Sequence, residues 1–150
     1  MKRLLSQLLV WGLLSLGTLA QAEPIALIIH RDSPQRELNR EEAADLFLGK
    51  RQSLDGQSLL PIDSNDEQLQ ALFYDAVADM SLTRLKAYWA RLVFSGQGRP
   101  PPRIALNIAV DRISRNNAAV TYVYANAIPR DAKVLLSRPL KNPVESMQMV

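Results

Sequence analysis

The sequence predicts an α/β or α+β sandwich with a mainly parallel sheet flanked by helices. A continuous apolar run from Ile25 to Ile29 is typical of a strand that is buried on both faces, as in a parallel sheet. Residues from Leu69 to Met80 carry apolar side chains at helical spacing. The segments AVTYVYA and AKVLL have the β-branched and aromatic character of strands. Strands that alternate with helices favour this layered class.

The segment after the first strand predicts a helix that begins after Asn39. The Asn39 side chain can accept a hydrogen bond from the amide of Glu42, and the Glu42 side chain can reach back to the cap. We expect this helix to end at Gly49, because glycine readily adopts the left-handed conformation that follows a last turn.

A second strand and helix are predicted next. An Asp-Gly pair indicates a turn, and the SLLPI segment after it predicts a short strand. Pro61 lies in this strand and must occupy a position where no amide is needed. Ser64 with Glu67 predicts a capping box that starts the helix containing Leu69.

A third helix is predicted from Ser81, its N-cap, to Gly96. Its apolar residues share one face, so Trp89 and Phe94 are expected in the core and not on a stacking platform. The segment GQGRPPPR predicts a loop, because prolines lack amides and hold the backbone extended.

The segment IALNIAVDRISRNN fits two patterns. Apolar residues alternate from Ile104 to Val110 as in a strand, whereas the residues from about Ile108 to Arg115 fit a short helix. We favour the helix, ended by Asn116 and its neighbour, because asparagine tolerates the left-handed cap.

The N-terminus has the pattern of a signal peptide. Lys2 and Arg3 precede an apolar run, and a small-x-small motif predicts cleavage after Ala22. An uncleaved anchor is less favoured, because the apolar run is short for a membrane span. We therefore expect a periplasmic protein with a signal peptide (1–22), one domain (23–136) and an irregular C-terminal tail (137–150).

Charge and composition exclude several classes of function. Removal of residues 1–22 takes away two cations and no acid, so the net charge falls from +3 to +1. The remaining basic residues are scattered along the sequence, which argues against nucleic acid as a partner. The absence of cysteine excludes disulfides and thiolate metal sites.

The sequence offers little to an enzyme. His30 is the only histidine, and no second histidine or carboxylate cluster at ligand spacing supports a metal site. No glycine-rich phosphate cradle is present either. We therefore expect no catalytic residue, no metal and no cofactor.

Several motifs nevertheless resemble a known family. The segments NREEAADLFLGK, DGQSLLPID, ALFYDAV and LKAYWARLVFSGQGRPP, followed by AAVTYVYA and AKVLL, occur in the order found in small periplasmic proteins similar to phosphate ABC transporter substrate-binding proteins. The resemblance covers Ile25 to Leu136.

The resemblance implies a type II periplasmic-binding-protein architecture, in which two α/β lobes close over a solute for delivery to a membrane transporter. The chain from residue 23 onward has the length of about one three-layer lobe. Three alternatives follow: a smaller site serves, a second chain in a homo-oligomer supplies the other wall, or solute binding has been lost. In the last case, the single lobe would be a protein-interaction module that binds another envelope protein.

The resemblance also implies a place for a small anion such as phosphate, at the start of the helix after SLLPI. Full-length relatives hold the anion there with an Arg, an Asp and a Ser-Gly-Thr run. The corresponding ligand-binding residues here are Asp63, Ser64 and Asn65, and Arg31 is the expected cation over the corner.

The corner itself contains neither the glycine nor the arginine of that pattern. It is also acidic, and a capping box would occupy amides that an anion needs. Binding would therefore require Arg31, Arg36 or Arg99 to fold over it.

Overall fold

The computed structural model describes residues 24–138; the predicted signal peptide (1–22) and residues 139–150 of the predicted tail lie outside the described residues. In chain order the elements are β1 (Ile25–His30), α1 (Arg40–Phe47), β2 (Ser53–Leu54), β3 (Gln57–Ser58), β4 (Leu60–Pro61), β5 (Asp63–Ser64), α2 (Glu67–Ala78), α3 (Leu82–Phe94), β6 (Arg103–Ile104), α4 (Leu106–Arg115), β7 (Ala119–Tyr124) and β8 (Ala132–Arg138), with a 3₁₀ turn at Ala125–Ala127.

The predicted α/β class is confirmed, because a four-stranded sheet in the order β4-β7-β1-β8 separates two helical layers. On one face, α1, α2 and α3 pack over side chains such as Leu27 and Tyr122. On the other face, α4 contributes Ala109 and Ile113 to a smaller apolar layer. The alternate residues of β1 supply both layers, which explains its uninterrupted apolar run.

The predicted strand direction is wrong, because the main sheet is mostly antiparallel. Strand β1 lies between β7 and β8 and is antiparallel to both, with Leu27 opposite Tyr122 in the first pair and opposite Leu136 in the second. In the described part of the main sheet, the parallel pair is β4 with β7. Strands β5 and β6 form another parallel pair in a separate small sheet. A buried apolar run indicates burial on two faces, but it contains no information about the direction of its neighbours.

The first helix begins and ends as predicted. The Asn39 side chain accepts a 2.8 Å hydrogen bond from the Glu42 amide, and the Glu42 carboxylate accepts a 3.0 Å bond from the Asn39 amide. Gly49 follows the helix with a φ of 70°. These features are local, so the sequence was sufficient to predict them.

The predicted start of α2 is wrong. Asp66 is the N-cap and accepts hydrogen bonds from the amides of Gln68 and Leu69 at 2.9 and 3.2 Å. Ser64 lies in β5, where its hydroxyl accepts a 3.1 Å bond from the Asp66 amide. Because Ser64 belongs to a strand, it cannot also cap the helix.

The remaining elements agree with the predictions except at their ends. Ser81 caps α3, and Trp89 is buried as expected, but Phe94 at the end of the helix is 92% exposed. The helix α4 starts two residues before the predicted Ile108, and Asn116 after its end is extended, with a φ of -141°, so the predicted left-handed cap is wrong. Strand β8 continues through residues 137 and 138, which the sequence assigned to the irregular tail.

Candidate functional site

The predicted ligand site is the α2 corner, which consists of Asp63, Ser64, Asn65 and Asp66. Strand β5 holds the first two residues beside β6, with Asp63 opposite Arg103. Two further backbone bonds fix the corner to the end of the proline-rich loop and to β6: the amide of Asp63 donates to the Pro102 carbonyl at 2.9 Å, and that of Asn65 donates to the Ile104 carbonyl at 3.1 Å. Backbone hydrogen bonds therefore hold the corner in place beside β6.

The Asp63 carboxylate is buried and surrounded by hydrogen-bond donors. Only 2% of the residue is exposed. One carboxylate oxygen accepts bonds from the Ser64 backbone amide at 2.9 Å and from the Tyr122 hydroxyl. The other accepts bonds from the Gln70 side-chain amide and from the Tyr74 hydroxyl, both at 3.0 Å. Its acceptor capacity is thus used within the protein.

The two tyrosines remain donors to Asp63 over the neutral pH range. Burial raises the pKa of both Tyr74 and Tyr122 above the ordinary value of 10.0, and the neighbouring Asp63 carboxylate raises it further. Both hydroxyls therefore keep their protons and hydrogen-bond the carboxylate. This arrangement gives Asp63 a role in holding α2 against β7.

The backbone amides of the α2 corner are also occupied. The Ser64 amide donates to Asp63 and the Asp66 amide donates to the Ser64 hydroxyl, while the Asp66 carboxylate accepts hydrogen bonds from the amides of Gln68 and Leu69. Asn65 is exposed, but its amide is bonded within the protein. The N-terminal amides that usually attract an anion are thus largely satisfied by an acidic side chain.

The structure does not bring Arg31 to this corner. Near its C-terminal end, β1 pairs Ile29 with Val120, and Arg31 comes two residues later, beyond the N-terminal end of β7. The Arg31 amide donates to the Asp131 carbonyl at 2.8 Å. Strand β4 runs parallel to β7, with Pro61 opposite Val120. Ser64 therefore lies three residues further along, toward the C-terminal end of β7 at Tyr124. The two residues are therefore roughly 15 Å apart along the strand direction, at ~3.3 Å per residue.

The other candidate cations are also accounted for. Arg36 bonds the Glu42 carboxylate at 2.7 Å and the Asp55 carboxylate at 2.7 Å, so it braces α1 against a turn. The cation at the α2 corner is instead Arg103, whose Nε donates to the Ser64 carbonyl at 3.1 Å. Arg99 lies in a separate cleft.

This second site, the arginine cleft, has a volume of about 670 Å³. It lies beside β4, between the loop after α1, the proline-rich loop and the C-terminal end of α4. Its cationic lining consists of Arg51, Arg99, Arg112 and Arg115. No acidic side chain of the described residues lines it.

Two of the four arginines are available to a ligand. Arg115 bonds Asp111 on the same helix at 2.8 and 3.0 Å, and Arg51 is 3.9 Å from Asp45. Among the described residues, neither Arg99 nor Arg112 has a carboxylate partner. The cleft therefore has uncompensated positive charge.

The rest of the lining is mostly apolar. Leu46, Leu59 and Ile62 line the cleft from the core, and the three consecutive prolines of the loop form another wall. Leu60 is 52% exposed. Pro61 lies at the outer edge of β4, where its missing amide is not needed, because the amides on either side of it donate to the carbonyls of Ala118 and Val120.

The sequence missed this cleft because its cations are far apart in the chain. Arg112 and Arg115 are three residues apart on α4, which was the one local signal that two of them share a helix face. Arg51 and Arg99 come from separate loops. The fold thus collects basic residues that are scattered in the sequence.

Neither a metal site nor a membrane span is found in the described part of the chain. No group of three or more His, Cys, Asp or Glu side chains within residues 24–138 is arranged to hold a metal ion. None of the helices in the same range has both the length and the apolar character that a membrane span requires.

Comparison with known proteins gives similarity of structure but not of sequence. No protein-family model and no curated protein matches the chain. One similar solved structure is a protein from Clostridium perfringens described as a phosphate ABC transporter substrate-binding protein, with bound phosphate; the TM-score is 0.56 at 14% identity, over 77% of this chain and 46% of that one. Another is an ABC-type phosphate transport receptor from Vibrio cholerae, with a TM-score of 0.54 at 13% identity, over 79% of this chain and 55% of that one.

The chain shares its fold with these binding proteins. It spans about half of the length of each structure that it matches. Its described residues form one three-layer unit, as expected for a single lobe. The similarity agrees with the fold that the sequence motifs implied, and it concerns the fold alone.

Proposed function

We propose that this protein is a periplasmic solute-binding protein that binds phosphate or a similar small anion in the arginine cleft. The main support is the set of four arginines that line a cleft without an acidic side chain from the described residues. The fold, shared with phosphate-transport receptors, is consistent with this role. The signal-peptide pattern at residues 1–22 supports export to the periplasm.

The physical chemistry of arginine favours an oxyanion in this cleft. A guanidinium is planar, remains charged and can donate two parallel hydrogen bonds to phosphate. At ~4 Å, one such cation attracts one unit of negative charge by ~1 kcal/mol in water and by ~4 kcal/mol near a protein surface. Arg99 and Arg112 can supply this attraction without first breaking an ion pair.

The α2 corner is a weaker candidate for the same anion. The residues expected there from the family resemblance were Asp63, Ser64, Asn65 and Arg31. The Asp63 carboxylate already accepts hydrogen bonds from neighbouring side chains. The Ser64 amide and hydroxyl are both hydrogen-bonded within the protein, and Arg31 lies at the other end of the sheet. We therefore place the proposed anion contact in the arginine cleft.

The proposal is completed by a partner of the kind found in transport systems. A solute-binding protein delivers its solute to a membrane transporter or another envelope protein. We further propose that a second chain in a homo-oligomer supplies the opposite wall of a closed site.

Thermal unfolding with and without phosphate tests this function. A ligand at a hundred times its dissociation constant stabilises a protein by ~2.7 kcal/mol. For a domain of this size, the midpoint should rise by about 10 °C. The double variant Arg99→Gln/Arg112→Gln should lose this shift, whereas the exposed control Arg130→Gln should keep it.

Two outcomes would contradict the proposal. The absence of a shift with phosphate and sulfate at millimolar concentration would exclude the anion-binding function. A phosphate shift that persists undiminished in the double variant would place the anion outside the arginine cleft.

A second candidate function is a single-lobe module that binds another envelope protein. It is favoured by Phe94, which is 92% exposed at the end of α3, next to the half-exposed Val93. A pull-down from envelope extract should then recover one stable partner, and the substitution Phe94→Ser should abolish its recovery. Equal recovery with both proteins would argue against this surface.

A further inference from the structure

The arginine cleft is much larger than a phosphate ion requires. Its volume of about 670 Å³ lies within the range of pockets that bind organic ligands, ~300 to 1,000 Å³. Inorganic phosphate would contact one or two arginines and leave the rest of the cleft to water. The size of the cleft therefore points to a ligand with more than an anionic group.

The lining is divided into a charged part and an apolar part. The guanidinium groups of Arg99 and Arg112 provide the charge, and the consecutive prolines at 100–102 provide an apolar wall. Leu60 adds a side chain that is 52% exposed in this structure and lies on the cleft. A ligand that covers such a side chain removes apolar surface from water, and this burial favours binding.

We propose that the cleft binds an organic phosphomonoester with an apolar body. The phosphate group bonds the arginines and the apolar body covers Leu60 and the prolines. Several cations and no acid from the described residues favour the dianionic phosphate over a singly charged head. This inference rests on the proposed anion-binding function and specifies the substrate class of the same site.

Isothermal titration calorimetry of the purified protein with inorganic phosphate and with phenyl phosphate tests the inference. Phenyl phosphate should bind at least tenfold more tightly, because its ring buries apolar surface that inorganic phosphate leaves exposed. Benzyl alcohol, a neutral ligand with the same ring, should bind far more weakly than phenyl phosphate.

Variants assign each part of the ligand to its own part of the cleft. Leu60→Ser should weaken the binding of phenyl phosphate at least threefold more than it weakens the binding of inorganic phosphate. The substitution is compatible with the fold, because the Leu60 amide bonds the Ala118 carbonyl whatever the side chain is. The matched control Ile108→Ser, on a side chain that is 47% exposed and does not line the cleft, should change neither affinity. Arg112→Gln should weaken both anions.

The possible failures are distinguishable. Equal affinity for the two anions, or an equal loss of both in Leu60→Ser, would overturn this inference and leave the proposed function intact. The absence of binding by either anion would overturn the proposed function and the inference together.

Discussion

Asp63 is expected to be a structural residue whose loss destabilises the protein. The substitution Asp63→Ala would leave the hydroxyls of Tyr74 and Tyr122 and the side-chain amide of Gln70 without their common buried acceptor. A hydrogen bond to a charged group contributes ~1.5 to 3 kcal/mol. The three contributions are not additive, since they share one acceptor. Removing the charge also relieves its desolvation.

We therefore expect Asp63→Ala to reduce the free energy of unfolding by about 3 to 5 kcal/mol. Urea unfolding followed by the fluorescence of the buried Trp89 measures this change as a lower midpoint at constant slope. Tyr74→Phe removes one donor and should cost about 1.5 to 3 kcal/mol, so it reports on the cluster even if the alanine variant does not fold. The surface control Asp111→Ala breaks an exposed ion pair and should cost less than about 1 kcal/mol.

Either of two results would contradict this account of Asp63. If Asp63→Ala kept its stability within about 1 kcal/mol but lost phosphate binding, the carboxylate would be a ligand contact, as the family resemblance implied. If Tyr74→Phe lost no stability, the hydrogen bond between Tyr74 and Asp63 would contribute nothing to the fold.

Three further substitutions test local features of the first helix and of the loops that follow α1 and α3. The Arg36 guanidinium lowers the pKa of Glu42 from 4.5 to about 2, so Glu42 contributes stability that is present above pH 4.5 and is lost as the pH falls toward 2. Glu42→Gln should flatten the acid-induced loss of stability in this window, as measured by urea midpoints at several pH values; an unchanged slope would contradict the pairing. Gly96→Ala should cost about 1 kcal/mol through its positive φ alone. Gly49→Ala should cost at least about 1 kcal/mol more in the same urea assay, because its Cβ would lie 3.0 Å from Trp89; equal losses would show that the side chain moves away freely.

Short-range features of the molecule were predictable from the sequence. The capping box of Asn39 and Glu42, the positive φ of Gly49 and the helical period after Leu69 involve residues within one or two turns of each other. In such cases, the side chains that stabilise the element are its own neighbours in the chain. The layered class followed from the alternation of these elements.

Features that depend on distant partners were predicted less well. The apolar run of β1 fits a strand in a parallel or an antiparallel sheet, and its insertion between β7 and β8 decides the direction. Ser64 has the composition of a helix cap, but its pairing with Ile104 in β5 and β6 moves the cap to Asp66. In both cases a long-range strand pairing overrides a plausible local pattern.

The same division applies to the candidate sites. The sequence alone identified the α2 corner as the part that resembles an anion-binding loop, and it also showed that this corner is acidic. Tertiary contacts then enclosed Asp63 between Tyr74 and Tyr122, which are 11 and 59 residues away. They also brought arginines from two loops and a helix to one cleft. Charges that are far apart along a chain become one site only when packing brings their segments together, and a linear pattern contains no measure of that distance.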